Sequence, residues 1–193
     1  MANDTPYVLY GIRKYRVTPL LATGAPSPGL AAYIMTEPQE MGVSGIYDEG
    51  EIAQLRGGDA LLCEVMEDDY LLGVDLTLRN AKMTPEGTQI MVGGDWIEDA
   101  ASPPVLIGWQ APLNNTAQPH FELEVIVEVK TQDRPASNDG WITFTFPFCR
   151  ARLADFASAD RSFTTPSFAI QARQNPYDDA RSVTWQQSAA QPF

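Results

Sequence analysis

The segment FELEVIVEVK, residues 121–130, constrains the fold more than any other stretch of the chain. Its apolar members Phe121, Leu123, Val125, Val127 and Val129 alternate with Glu122, Glu124, Ile126, Glu128 and Lys130. A period of two requires an extended strand with one face buried. A slip of one residue would bury a row of charges, so the register is specified by the sequence itself. GVDLTLRN repeats the pattern, with Val74, Leu76 and Leu78 alternating with Asp75, Thr77 and Arg79. WITFTFPFCRARL sets Ile142, Phe144, Phe146 and Phe148 on one face, and Pro147 places an edge or a bulge there because it donates no ladder hydrogen bond. YVLYGIRKYRVTPL, GIYDEGEIAQLRG and PSFAIQA supply further strands. TQDRPASNDG separates two of these strands and ends on an Asn-Asp-Gly turn signal, which predicts a hairpin with a long polar tip.

One helix is expected. Thr84 is placed to cap it, Pro85 suits its first position, Glu86 suits the positive end of its dipole, and Gly93-Gly94 stop it. Ile90, Met91 and Val92 are its apolar contacts. The helix either covers the sheet or packs at a subunit boundary, with Ile90 and Met91 in a neighbour's groove. The expected fold is mainly β: an antiparallel β-sandwich or barrel-like subunit with one short flanking α-helix and a long hairpin loop.

At 193 residues the chain builds one sizeable core rather than two, so 1–193 reads as a single domain. ATGAPSPG, the run from Asp99 to Pro104, and APLNNTAQPH are loops. Residues 174–193 form a C-terminal extension or a closing strand, with Trp185 as its anchor. Cys63 and Cys149 both sit among apolar neighbours and are expected to be buried, reduced thiols. The start MANDTPYVLY lacks the features of a signal peptide, and no run is apolar enough to span a membrane, so synthesis in a cytoplasm without membrane association is expected. A net charge of −12 argues against a nucleic-acid grip, which needs clustered Lys and Arg.

The search for chemistry is short. His120 is the sole histidine, too few for a His-rich zinc site, and no G-x-S-x-G serine accompanies it. Acids cluster at 48–51, 64–69 and 95–99, but none forms a calcium-loop pattern. No phosphate-binding glycine motif occurs. The sequence predicts no enzyme, no cofactor and no metal.

The order of parts carries more information. An acidic segment leads into LRGGDALLCEVMEDDYLLGVDLTLRNAKMTPEGTQIMVGG, a Gly-rich turn, strand and short helix ending in Gly-Gly. An aromatic strand with Phe-Pro, a variable segment and a returning strand follow in FTFPFCRARLADFASADRSFTTPSFAIQA. Together these resemble the major tail protein, or tail tube protein, of tailed bacteriophages, over about half of the chain. The resemblance implies a structural virion protein whose hexameric rings stack into a hollow tube. DNA would pass through without specific binding, and other tail proteins would meet the tube ends. It implies assembly in the host cytoplasm and residence in the phage tail.

On that reading Asp75, Glu122, Glu124 and Glu128 are candidate lumen-facing acids that would repel phosphates; the competing reading is that the acids serve solubility on the outer surface. Thr131, Asp133, Arg134, Asn138, Asp139 and Gly140 are the candidate inter-ring loop, and Pro85, Glu86, Ile90 and Met91 the candidate interface helix. The alternative is a β-sandwich carbohydrate-binding or adhesion module of a virion or cell surface, although Trp96, Trp109, Trp141 and Trp185 are scattered along the chain.

Overall fold

The computed structural model describes residues 7–57, 60–82, 84–101, 103, 105–114, 116–131, 140–154, 165–177 and 181–193. Twelve strands and one helix run through them: β1 (Tyr7–Leu20), β2 (Tyr33–Met35), β3 (Pro38–Asp48), β4 (Ile52–Gly57), β5 (Ala60–Met66), β6 (Tyr70–Asn80), α1 (Pro85–Val92), β7 (Asp95–Glu98), β8 (Leu106–Gln110), β9 (His120–Thr131), β10 (Gly140–Leu153), β11 (Ser167–Arg173) and β12 (Thr184–Ser188).

The main sheet has eight strands, ordered β2-β1-β9-β10-β11-β6-β3, with β12 on β10 beside β11. Every pairing in it is antiparallel. The sheet curls until β3 at one edge approaches β1 near the other. The fold is mainly β and antiparallel with one helix, consistent with the expected β-sandwich-like architecture, and its core lies on the inner side of the curl. β4–β5 and β7–β8 are separate two-stranded ribbons.

The alternating patterns land as their periods require. Phe121, Leu123, Val125 and Val127 of β9 join Val74, Leu76 and Leu78 of β6 and Phe168 and Ile170 of β11 in one core. Pro147 falls inside the gap where the β9–β10 register shifts between Phe146 and Cys149, so its missing N–H breaks no ladder bond. Cys149 still pairs with Phe121 of β9 after the shift, and on its other side β10 passes from β12, at Trp141–Thr145, to β11, at Cys149–Leu153.

α1 starts and stops where the sequence predicts, by a different cap. The Thr84 side chain makes no capping bond; its carbonyl instead accepts hydrogen bonds from the Thr88 N–H and Oγ1. Gly93 and Gly94 adopt φ of 86° and 93°. A Cβ on Gly94 would lie 2.2 Å from the Gln110 carbonyl oxygen, so both backbone conformation and space require glycine there. The β7–β8 ribbon is locked beside the helix end by the Trp109 Nε1–H, which donates to the Gly93 carbonyl at 2.7 Å.

Candidate interaction surfaces

The convex face of β1, β9 and β10 holds three of the four expected lumen acids, and it is not an open carboxylate face. Two register shifts in the β1–β9 pairing, around Gly11 and Arg13, set the faces of β1. Gly11 takes φ of 69°, the positive value that a bulge glycine supplies. Beyond the bulges Tyr15 and Val17 turn into the core, while Lys14 and Arg16 stand opposite Ile126 and Glu124.

Arg13 then reaches Glu128, its Nε donating to Oε2 at 2.7 Å. Arg16 pairs with Glu124, and Lys130 lies 3.8 Å from the other Glu128 oxygen. Glu128, expected to be presented outward, has a side chain only 3% exposed. A carboxylate so buried persists because its neighbours are cations. On β6, Asp75 has Arg173 at 3.6 Å.

Among the described residues, Glu122 has no cation within salt-bridge distance. Burial first and the Glu124 charge second raise its pKa, with Arg16 opposing them. Four cations, Arg13, Lys14, Arg16 and Lys130, therefore interleave with three acids on this face. The C-terminus seals part of it: the Phe193 ring lies 4.4 Å from the Arg16 guanidinium, and the Lys14 Nζ donates to the Phe193 oxygen at 3.0 Å. Ile126, on the same face, is fully buried. Trp185 does not anchor the tail, because the residue is 66% exposed; backbone pairing of β12 with β10 holds that segment.

The helix covers its own core. Met91 is 0% and Ile90 5% exposed, both within the main cluster, so neither reaches a neighbour's groove. Pro85 and Glu86 are half-buried. Within the candidate inter-ring loop, Thr131 ends β9 and Gly140 opens β10, while Asp133, Arg134, Asn138 and Asp139 lie outside the described residues.

The residues tested for chemistry are occupied elsewhere. His120 stacks on Phe148 with ring centroids 4.3 Å apart, and its Nε2 accepts from the Arg150 Nε at 2.7 Å. Burial and the Arg150 charge lower its pKa, favouring the neutral ring. Cys149 is buried as expected, but Cys63 is exposed. Trp96 and Trp109 stand opposite each other in β7–β8, a pairing that sequence separation hid, and the Trp109 indole N–H is committed to Gly93. Among the described residues, no three His, Cys, Asp or Glu side chains gather as metal ligands, and no helix is long and apolar enough to cross a membrane.

The surface that sequence reading missed is an arm. The β3–β6 pair extends past the core to Tyr47↔Leu71 and Asp48↔Tyr70. The chain then continues as β4–β5 from Ile52↔Met66 to Gly57↔Ala60. Between the two ribbons the waist is held by the Glu67 N–H to the Glu51 carbonyl at 3.2 Å and the Gly50 N–H to Asp69 Oδ1 at 3.0 Å. A Cβ on Gly50 would lie 2.0 Å from the Glu67 carbonyl oxygen, so the strands cross too closely there for any other residue.

Along this arm Val43, Tyr47, Ile52, Val65, Met66, Tyr70, Leu71 and Leu72 are each between 44% and 66% exposed. The arm is also acidic. Residues 43–72 contain Asp48, Glu49, Glu51, Asp59, Glu64, Glu67, Asp68 and Asp69 against Arg56 alone, eight acids to one base and a formal −7 of the chain's −12. The available signal was the loss of alternation: Tyr70-Leu71-Leu72 and Val65-Met66 put apolar groups on both faces of a ribbon that no further layer covers among the described residues.

Comparison with protein-family models and with curated proteins finds no match for this chain.

Proposed function

We propose that the chain is a self-assembling structural subunit, of the kind that closes into rings and stacks into the hollow tail tube of a tailed bacteriophage. The exposed apolar arm supports this reading. Two-stranded ribbons are marginal in water, and contiguous exposed apolar surface of this kind belongs to contacts with other proteins. The chain puts its regular structure into extended strands and the surfaces they present. Heterologous contact between identical copies closes into a ring when the rotation per copy divides a full turn, and the edge of β3, which has no second ladder partner among the described residues, is then protected within the assembly. The order of sequence parts points to the tail tube among ring-forming proteins. No cofactor, reaction or specific DNA contact enters this function. In a ring of such copies the bore is not lined by the Glu124 and Glu128 carboxylates as free anions, since both are neutralised within the subunit.

Negative-stain electron microscopy of the purified protein at high concentration tests the reading. Rings or hollow tubes of repeating width support it. Discrete monomers that bind a glycan array instead overturn it in favour of the carbohydrate-binding reading.

A further inference from the structure

We infer that the acidic arm of one copy docks in an arginine-lined groove on the convex face of β10 and β11 of a second copy. This rests on the self-assembly reading and names the two surfaces that meet. The groove is two hollows that share Arg150 and Gln171, one continuing to Arg152 and Ala169 and the other to Phe148, Arg173 and Pro176. It is formed because β10 and β11 pair from Cys149↔Ala172 to Leu153↔Phe168, which turns Phe168, Ile170 and Ala172 into the core and leaves the alternate residues outside.

Two observations select the occupant. The first is charge. In a chain of net −12 this strip gathers three arginines, and no carboxylate among the described residues forms an ion pair with Arg150 or Arg152. Arg150 spends its Nε on the neutral His120 ring. Arg173 holds Asp75 only at 3.6 Å and donates to its neighbour's carbonyl. The arm carries the complementary excess of seven negative charges, concentrated at its waist in Glu49, Glu51, Glu67 and Asp68.

The second is apolar character. The groove floor offers Phe148, Ala169 and Pro176, a surface on which Tyr70 or Met66, each 66% exposed, becomes dry. Arginine suits the rim because its planar fork pairs with carboxylates while its face stacks on aromatic rings.

Arm and groove lie on different parts of one chain, so the contact is head-to-tail and every copy both gives and receives. Charge complementarity of this kind fixes which surfaces meet and in which register.

Reciprocal charge reversal in the full chain tests the contact. One variant reverses the groove, Arg150→Glu with Arg152→Glu; the other reverses the waist, Glu49→Lys, Glu51→Lys, Glu67→Lys and Asp68→Lys. All six side chains are exposed, and circular dichroism verifies that each variant is folded. Light scattering is expected to show that wild type associates and that each variant alone is a monomer. An equimolar mixture is expected to associate again, because each variant's arm then meets a groove of opposite charge. Association of either variant alone to the wild-type mass, or a mixture that stays monomeric while wild type associates, overturns the arm-and-groove contact and leaves self-assembly standing. A monomeric wild type defeats the self-assembly reading itself.

Discussion

Removing the Arg13 guanidinium leaves the Glu128 carboxylate without its main partner in a site that is nearly closed to water. The Glu128 side chain is 3% exposed and the Arg13 side chain 48%, so one charge is buried and the other reaches solvent. Stripping one partner from a fully buried pair costs roughly 3–5 kcal/mol. Two features reduce that figure here. Water follows into the space of a half-exposed arginine, and the Lys130 Nζ remains 3.8 Å away. Arg13→Met is therefore expected to cost about 2–3 kcal/mol, which in a chain of this size lowers Tm by about 4–12 °C. The assay is urea denaturation followed by tryptophan fluorescence, with m compared between variants. Arg13→Met combined with Glu128→Met is expected to return to within about 1 kcal/mol of wild type, because two apolar side chains of similar length leave no unpaired charge. An Arg13→Met protein within about 0.5 kcal/mol of wild type would refute the reasoning, since that is the range of an ordinary surface change.

Met91→Ala, at a fully buried helix position, should cost about 2–5 kcal/mol through the cavity it leaves; Glu86→Gln should stay within about 0.5 kcal/mol by the same denaturation assay. Glu122 has a raised folded-state pKa, so the fold favours its protonated form and loses that contribution as pH rises through the raised value. Glu122→Gln should therefore gain thermal stability over wild type at neutral pH and lose that advantage in acid, as read from Tm at the two extremes. The exposed Cys63 should react with a thiol reagent in the native protein, whereas Cys149, buried and with its pKa raised by burial, should react only on unfolding; stoichiometry before and after denaturant distinguishes them.

Much of the architecture was legible because it depends on local periods. The alternation in β9, β6 and β10 names the core residues directly, and Pro85 with Gly93-Gly94 bounds the helix, since φ preferences act within a residue or two. The neutralisation of Glu124 and Glu128 was not legible. It depends on which residues of β1 stand opposite β9, more than a hundred positions away, and on two bulges that shift β1's faces. The helix had two readings because an apolar stripe looks the same whether it meets its own sheet or a neighbour. Cys63 was misjudged for a related reason. Apolar neighbours in ALLCEV signal burial, and among the described residues no layer covers Cys63 on its two-stranded ribbon. The charge was visible in total but not in place: −12 says nothing of an arm that carries more than half of it.

The most direct test of the central claim is sedimentation velocity of the wild-type chain over a wide concentration range, with deuterium exchange of the heaviest fraction. Self-assembly predicts species at multiples of 21.2 kDa that grow with concentration, and slowed exchange along 43–72 in the assembled fraction. A single 21.2 kDa species at every concentration, with the arm exchanging freely, would contradict it.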